Sequence, residues 1–67
     1  MTKEEAIKAM SEGKKVTHRY FSPDEWATIV DGKILLEDGV RCSITEFFKW
    51  RQDPSFDTEW SLWKNKI

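Results

Sequence analysis

Two side chains in this sequence could carry proton or thiol chemistry, and each occurs once: His18 and Cys42. Histidine exchanges protons near neutral pH, but catalysis needs a nucleophile or an orienting carboxylate beside the ring. Asp24 and Glu25 lie near His18 in the chain, yet no motif ties them to it. Cys42 follows Arg41, a neighbour that favours the thiolate. Its place between Val40 and Ile44, on one strand face, makes it a small core residue instead. A structural zinc site needs about four Cys or His ligands, which these two residues do not supply. No phosphate loop or metal-ligand spacing occurs. Asp31-Gly32 and Asp38-Gly39 lack the further carboxylates that calcium requires. The residue types therefore predict no catalysis, no cofactor and no metal.

Binding chemistry is better represented. Lys14, Lys15, His18 and Arg19 stand beside Tyr20, Phe21 and Trp26, and basic residues interleaved with aromatics can stack on a base and hold a phosphate. His18, Arg19, Tyr20, Phe21, Glu25 and Trp26 are the candidate ligand or partner residues. Alternation along a strand puts His18 and Arg19 on opposite faces, so at most one of them lines a given site. An ordinary strand edge is the competing reading. The tryptophans form a second set. Trp50 lies off the Phe47/Phe48 stripe, and Trp60 and Trp63 alternate. At least one of the three is expected to be exposed, which makes Trp50, Trp60 and Trp63 candidates for an oligomer or partner interface.

The elements that must position these residues can be read from periodicity and punctuation. Thr2 and Glu5 have capping-box spacing, and Ala6, Ile7, Ala9 and Met10 form one apolar stripe. Gly13 sits at a left-handed cap. A helix is predicted over 2–12. Strand alternation follows over 15–21, with Val16, His18 and Tyr20 on one face and Thr17, Arg19 and Phe21 on the other. At Ser22–Trp26 a capping pattern with Pro23 conflicts with the β-formers after it; a single turn and then a strand is the resolution adopted. Two Asp-Gly turns punctuate strands over 26–31, 33–37 and 40–44, a three-stranded antiparallel meander with Val40, Cys42 and Ile44 on one face. A helix over 45–52 is capped by Ser43 or Thr45 and ends at Asp53-Pro54. The last strand is predicted over 59–64. The fold class is α+β: an antiparallel sheet of about five strands, an N-terminal helix, and a second short helix before the last strand.

Length and charge bound the rest. The 67 residues make one domain, 1–67, near the size at which a core barely offsets ordering entropy. A lone cysteine forms no disulfide within the chain and suits a reducing compartment, so a cytoplasmic location is expected. Dense aromatics, 13% of the sequence, and self-association are the remaining sources of stability. A net charge of -1, from 11 basic and 12 acidic residues, argues against nucleic acid as the partner. No apolar run is long enough to span a membrane, and the opening Met1-Thr2-Lys3-Glu4-Glu5 lacks the apolar region of a signal peptide.

The stretch Glu5-Ala6-Ile7-Lys8-Ala9-Met10-Ser11-Glu12-Gly13-Lys14-Lys15-Val16 resembles the opening of many small phage-encoded accessory proteins: a short helix, Gly-Lys-Lys-Val, then a strand. His18-Arg19-Tyr20-Phe21, Glu25-Trp26, Asp38-Gly39, Glu46-Phe47-Phe48 and Trp60-Ser61-Leu62-Trp63 resemble the continuation of one subset of them. The opening is distantly similar to phage anti-Thoeris and anti-CRISPR proteins. The resemblance implies a host-interfering protein, acting on a defence system by stoichiometric binding to a host protein. Its alternatives are a sponge for a nucleotide-like signal, using Arg19, Tyr20, Phe21 and Trp26, and a structural or regulatory adaptor. In the anti-Thoeris type the ligand sits between subunits. A homo-oligomer, a dimer or larger, is expected here from the thin stability margin of so small a core, with a tryptophan of the C-terminal third at the contact.

Overall fold

Capping and turn chemistry define the local elements. In the computed structural model, which describes residues 1–64, helix α1 spans Lys3–Ser11. The Thr2 hydroxyl accepts the Glu5 N–H at 3.2 Å, and the Glu5 carboxylate accepts the Thr2 N–H at 2.8 Å. This reciprocal box satisfies two N–H groups, including one that the first helical turn leaves without a partner. At the other end the N–H of Gly13 reaches the carbonyl of Met10 at 3.0 Å, and that of Lys14 reaches Ala9 at 3.0 Å. That pair of bonds requires a left-handed residue between them, and Gly13 supplies it with φ 87.

Strands β1 (Val16–His18), β2 (Ala27–Val30), β3 (Lys33–Leu36) and β4 (Arg41–Cys42) follow, then helix α2 (Ile44–Lys49), a 3-10 turn (Pro54–Asp57) and strand β5 (Trp60–Leu62). The sheet has the order β4-β3-β2-β1-β5 and is antiparallel throughout. The β2–β3 hairpin turns through Asp31 and Gly32, both with positive φ, as a turn matched to strand twist demands. The chain is therefore the α+β domain that its periodicity predicts: a helix, a five-stranded antiparallel sheet, and a second short helix before the last strand.

Register decides which residues share a face, because directly opposed residues point the same way. Val16 lies opposite both Ala27 and Leu62, His18 opposite Trp60, and Ile34 opposite both Ile29 and Cys42. This inner face meets the two helices. Ala6, Met10, Val16, Ala27, Ile34, Phe47, Phe48 and Trp60 are buried there. Trp60 is the hub, 2% exposed, with Phe21, Phe47, Phe48 and Phe56 between 5.7 and 6.3 Å from its ring. Each such aromatic pair adds about 0.5–1.5 kcal/mol beyond area burial, so aromatic density substitutes for the missing cross-links.

Several boundaries differ from the sequence expectation, each for a local reason. β1 stops at His18, not Phe21. The N–H of Tyr20 turns back to His18 Nδ1 at 3.1 Å and that of Phe21 to the His18 carbonyl at 2.9 Å. Alternation ends there: Tyr20 is 62% exposed, and Phe21 joins the core instead of facing away from it. Ser22–Glu25 forms one turn, with the Glu25 carboxylate accepting the Ser22 N–H at 3.1 Å, and β2 begins at Ala27. The fourth strand has two residues. Ser43 Oγ accepts the Glu46 N–H at 3.0 Å, so Ile44 starts α2 and does not share a strand face with Val40 and Cys42. Val40 is exposed and Cys42 half-buried. α2 ends at Lys49, short of 52, with Trp50 as its cap. The 3-10 turn was not expected: Asp53 accepts the Ser55 N–H at 2.9 Å and Pro54 opens the turn. The last strand occupies Trp60–Leu62 within the predicted 59–64.

Candidate binding surface

The structure splits the six residues: the Tyr20 and Phe21 rings lie 5.5 and 6.0 Å from that of His18, while Arg19, Glu25 and Trp26 go elsewhere. The His18 ring is 3% exposed. Its Nε2 lies 2.8 Å from the Ser55 carbonyl and 2.9 Å from that of Thr58, while Nδ1 accepts the Tyr20 N–H. The ring is therefore the Nε2–H tautomer with both nitrogens committed to backbone. Phe56 packs 4.4 Å from it. His18 is a fastener between β1 and the 3-10 turn. Arg19 pairs with Glu59 at 2.8 Å, and that hydrogen bond holds its guanidinium pKa above the ordinary value. Phe21 packs against the core, Glu25 belongs to its turn, and Tyr20 is largely exposed with its ring centre 5.9 Å from that of Phe56. Trp26 lies elsewhere, against Trp63.

That second cluster occupies the sheet face opposite the helices. Lys15 and Trp63 continue the β1–β5 pairing, with the Trp63 N–H on the Lys15 carbonyl at 2.9 Å. The Trp26 and Trp63 rings are 6.1 Å apart and tilted by 52°. Lys15 Nζ sits 4.2 Å from the Trp26 ring centre and 5.4 Å from that of Trp63. Trp63 Nε1 donates to the Pro23 carbonyl at 3.1 Å. Tilted rings in mutual contact leave no slot for a base between them. A cleft of about 390 Å³ opens alongside, lined by Gly13, Lys14, Lys15, Leu62 and Trp63.

The larger hollow lies on the other side, between α1 and α2. It has a volume of about 500 Å³ and is lined by Lys3, Ile7, Ile44, Thr45, Phe48, Lys49 and Gln52. Ile7 and Ile44 are half-buried and Phe48 almost fully buried, so its floor is apolar. Lys3 Nζ stands 4.6 Å from the Phe48 ring centre. Trp50, the cap of α2, is 78% exposed, with Lys49 Nζ 5.6 Å from its ring. None of the residues lining this hollow was a site candidate from sequence; Trp50, which was, caps α2 beside Lys49. The i, i+4 spacing of Lys3 and Ile7 on α1 was the available signal, but a groove exists only once a second helix lies beside that face.

A third feature is the outer edge of β5. Thr17 and Ser61 exchange bonds across the strands, flanked by Lys15–Trp63 and Arg19–Glu59 bonds. The N–H and C=O of Trp60 and Leu62 therefore point outward. Those of Trp60 are taken by Met1, whose N donates at 2.6 Å and whose carbonyl accepts at 3.2 Å. Leu62 lies beyond that bridge and is 47% exposed.

No protein-family model, curated protein or solved structure matches the chain. Among the described residues there is no cluster of three His, Cys, Asp or Glu side chains placed to hold a metal, and no helix is long and apolar enough to cross a membrane.

Proposed function

We propose that this chain is a non-catalytic binding protein, a phage accessory factor that blocks a host function, a defence system in particular, by stoichiometric association with a host protein. The observation that carries the reading is Trp50. The core closes without it, and it stands 78% exposed at the C-terminal cap of α2, next in sequence to Lys49 of the groove lining. Tryptophan is enriched among the residues that anchor protein interfaces. The engagement of His18 by three backbone groups supports a structural role for the chain's one histidine. Phage origin and defence as the target rest on the sequence resemblance, and a host cytoplasm on the lone thiol of Cys42. Self-association through the β5 edge is part of the same proposal. The test is co-purification from host lysate with wild type and Trp50→Ala at equal folded concentration. A protein retained by the first and lost from the second supports the reading; identical retention or none removes its carrying observation.

A second reading is favoured by one specific feature. The cleft beside Trp63 combines an aromatic face with Lys14 and Lys15, the ingredients of a nucleotide-type site. Of the residues first considered for such a sponge, Trp26 alone is in that cluster. Nucleotide second messengers at 100 times their dissociation constant would stabilise the fold by ~2.7 kcal/mol. An unchanged melting temperature with all of them excludes this reading.

A further inference from the structure

We infer that the groove between α1 and α2 receives an acidic segment of the protein target, with an apolar side chain of that segment seated on Phe48 and its carboxylates on Lys3 and Lys49. The inference rests on the protein-binding reading above and specifies the chemistry of what is bound.

The charge distribution carries it. The chain is close to neutral overall, with 12 acidic residues against 11 basic ones, yet the groove lining holds two lysines and no carboxylate. Among the described residues the ion pairs are Lys14–Glu12 and Arg19–Glu59; Lys3 and Lys49 take part in neither. Both instead lie over aromatic rings, those of Phe48 and Trp50. A lysine held on a ring face keeps N–H donors for an incoming carboxylate, and such charge-assisted bonds are about twice as strong as neutral ones. Between the lysines lies an apolar floor of Ile7, Ile44 and Phe48. The hollow, about 500 Å³, is shallow and open to solvent, a shape that fits a segment lying across it. Acidic groups alone would leave that floor wet, and a purely apolar segment would leave the lysines without partners. A basic segment would be repelled. An acidic segment with an apolar residue satisfies both halves of the groove.

The experiment follows backbone amides of Ile7, Ile44 and Phe48 by NMR during titration with a synthetic peptide repeating Leu-Glu-Glu. A matched Leu-Lys-Lys peptide, phosphatidylglycerol vesicles and single-stranded DNA are run in parallel. The acidic peptide is expected to shift those amides and change Trp50 emission, with affinity falling as salt rises. Lys3→Gln combined with Lys49→Gln should weaken it roughly fivefold or more, whereas Lys33→Gln, an exposed charge on β3, should leave it unchanged. Unmoved groove amides, equal binding of the basic peptide, equal loss in Lys33→Gln, or a response to vesicles or DNA alone would each overturn the inference. The two readings separate cleanly. A lysate protein whose capture needs Trp50 but ignores the lysine pair defeats the acidic segment and keeps the binding protein. Groove binding of the peptide without any Trp50-dependent capture does the reverse.

Discussion

His18 Nε2 lies 2.8 Å from the carbonyl oxygen of Ser55, 37 positions further along the chain. This bond and its neighbour at Thr58 hold the 3-10 turn against the sheet and so keep Phe56 over the imidazole. Removing the ring leaves a cavity and two carbonyls without their donor. His18→Ala should cost about 3 kcal/mol, read as a lower denaturant midpoint. His18→Phe keeps the stacking and loses only the hydrogen bonds, so it should cost about 1–2 kcal/mol.

Gly32 has φ 77 in the β2–β3 turn, following Asp31 at φ 53. An added Cβ meets no atom within 4 Å, so Gly32→Ala tests backbone conformation alone. It should destabilise by ~1 kcal/mol. A change within error would mean the turn relaxes without cost.

Trp50 makes its predicted contribution outside the fold. Trp50→Ala should alter stability by no more than about 0.5 kcal/mol while abolishing capture of the partner. Trp63→Ala is the contrast. It removes the stack on Trp26 and the bond to Pro23, and should cost about 1–2 kcal/mol. Parallel melts of the two variants decide whether they separate as stated.

Self-association is predicted at the β5 edge, beyond the bridge made by Met1. A charge at position 62 should block strand pairing there. Sedimentation of wild type and Leu62→Asp over a range of concentrations is the check. Wild type should show a dimer that the variant lacks, and a wild-type monomer at the highest concentration would refute the pairing.

Acid should erode stability through two capping carboxylates. Glu5 is held below the ordinary 4.5 by the Thr2 backbone N–H and hydroxyl, and Asp53 below the ordinary 3.8 by the Ser55 N–H and hydroxyl. A depressed folded pKa gives stability that is present above the unfolded value and disappears as pH falls through the folded one. The melting temperature should therefore hold from neutrality to about pH 5 and fall below it. Glu5→Gln and Asp53→Asn should each flatten part of that fall.

Local signals in the sequence determined the elements. The Thr2–Glu5 box, Gly13, the Asp31-Gly32 turn and the strand alternation each act within a few residues, where steric and hydrogen-bonding rules are specific. They were sufficient for the α+β class and the β2–β3–β4 meander. Alternation around Trp60 also showed that Trp60 and Trp63 face opposite sides. Tertiary structure alone decided the rest. Placing β5 beside β1 depends on pairings such as His18 with Trp60 and Thr17 with Ser61, and no short-range pattern encodes these. The same long-range packing buried His18, drew Trp26 away from Arg19 and Tyr20, and set α2 beside α1. A groove made from Ile7 on one helix and Phe48 on another is a property of their approach, and residue type or spacing in either helix does not contain it.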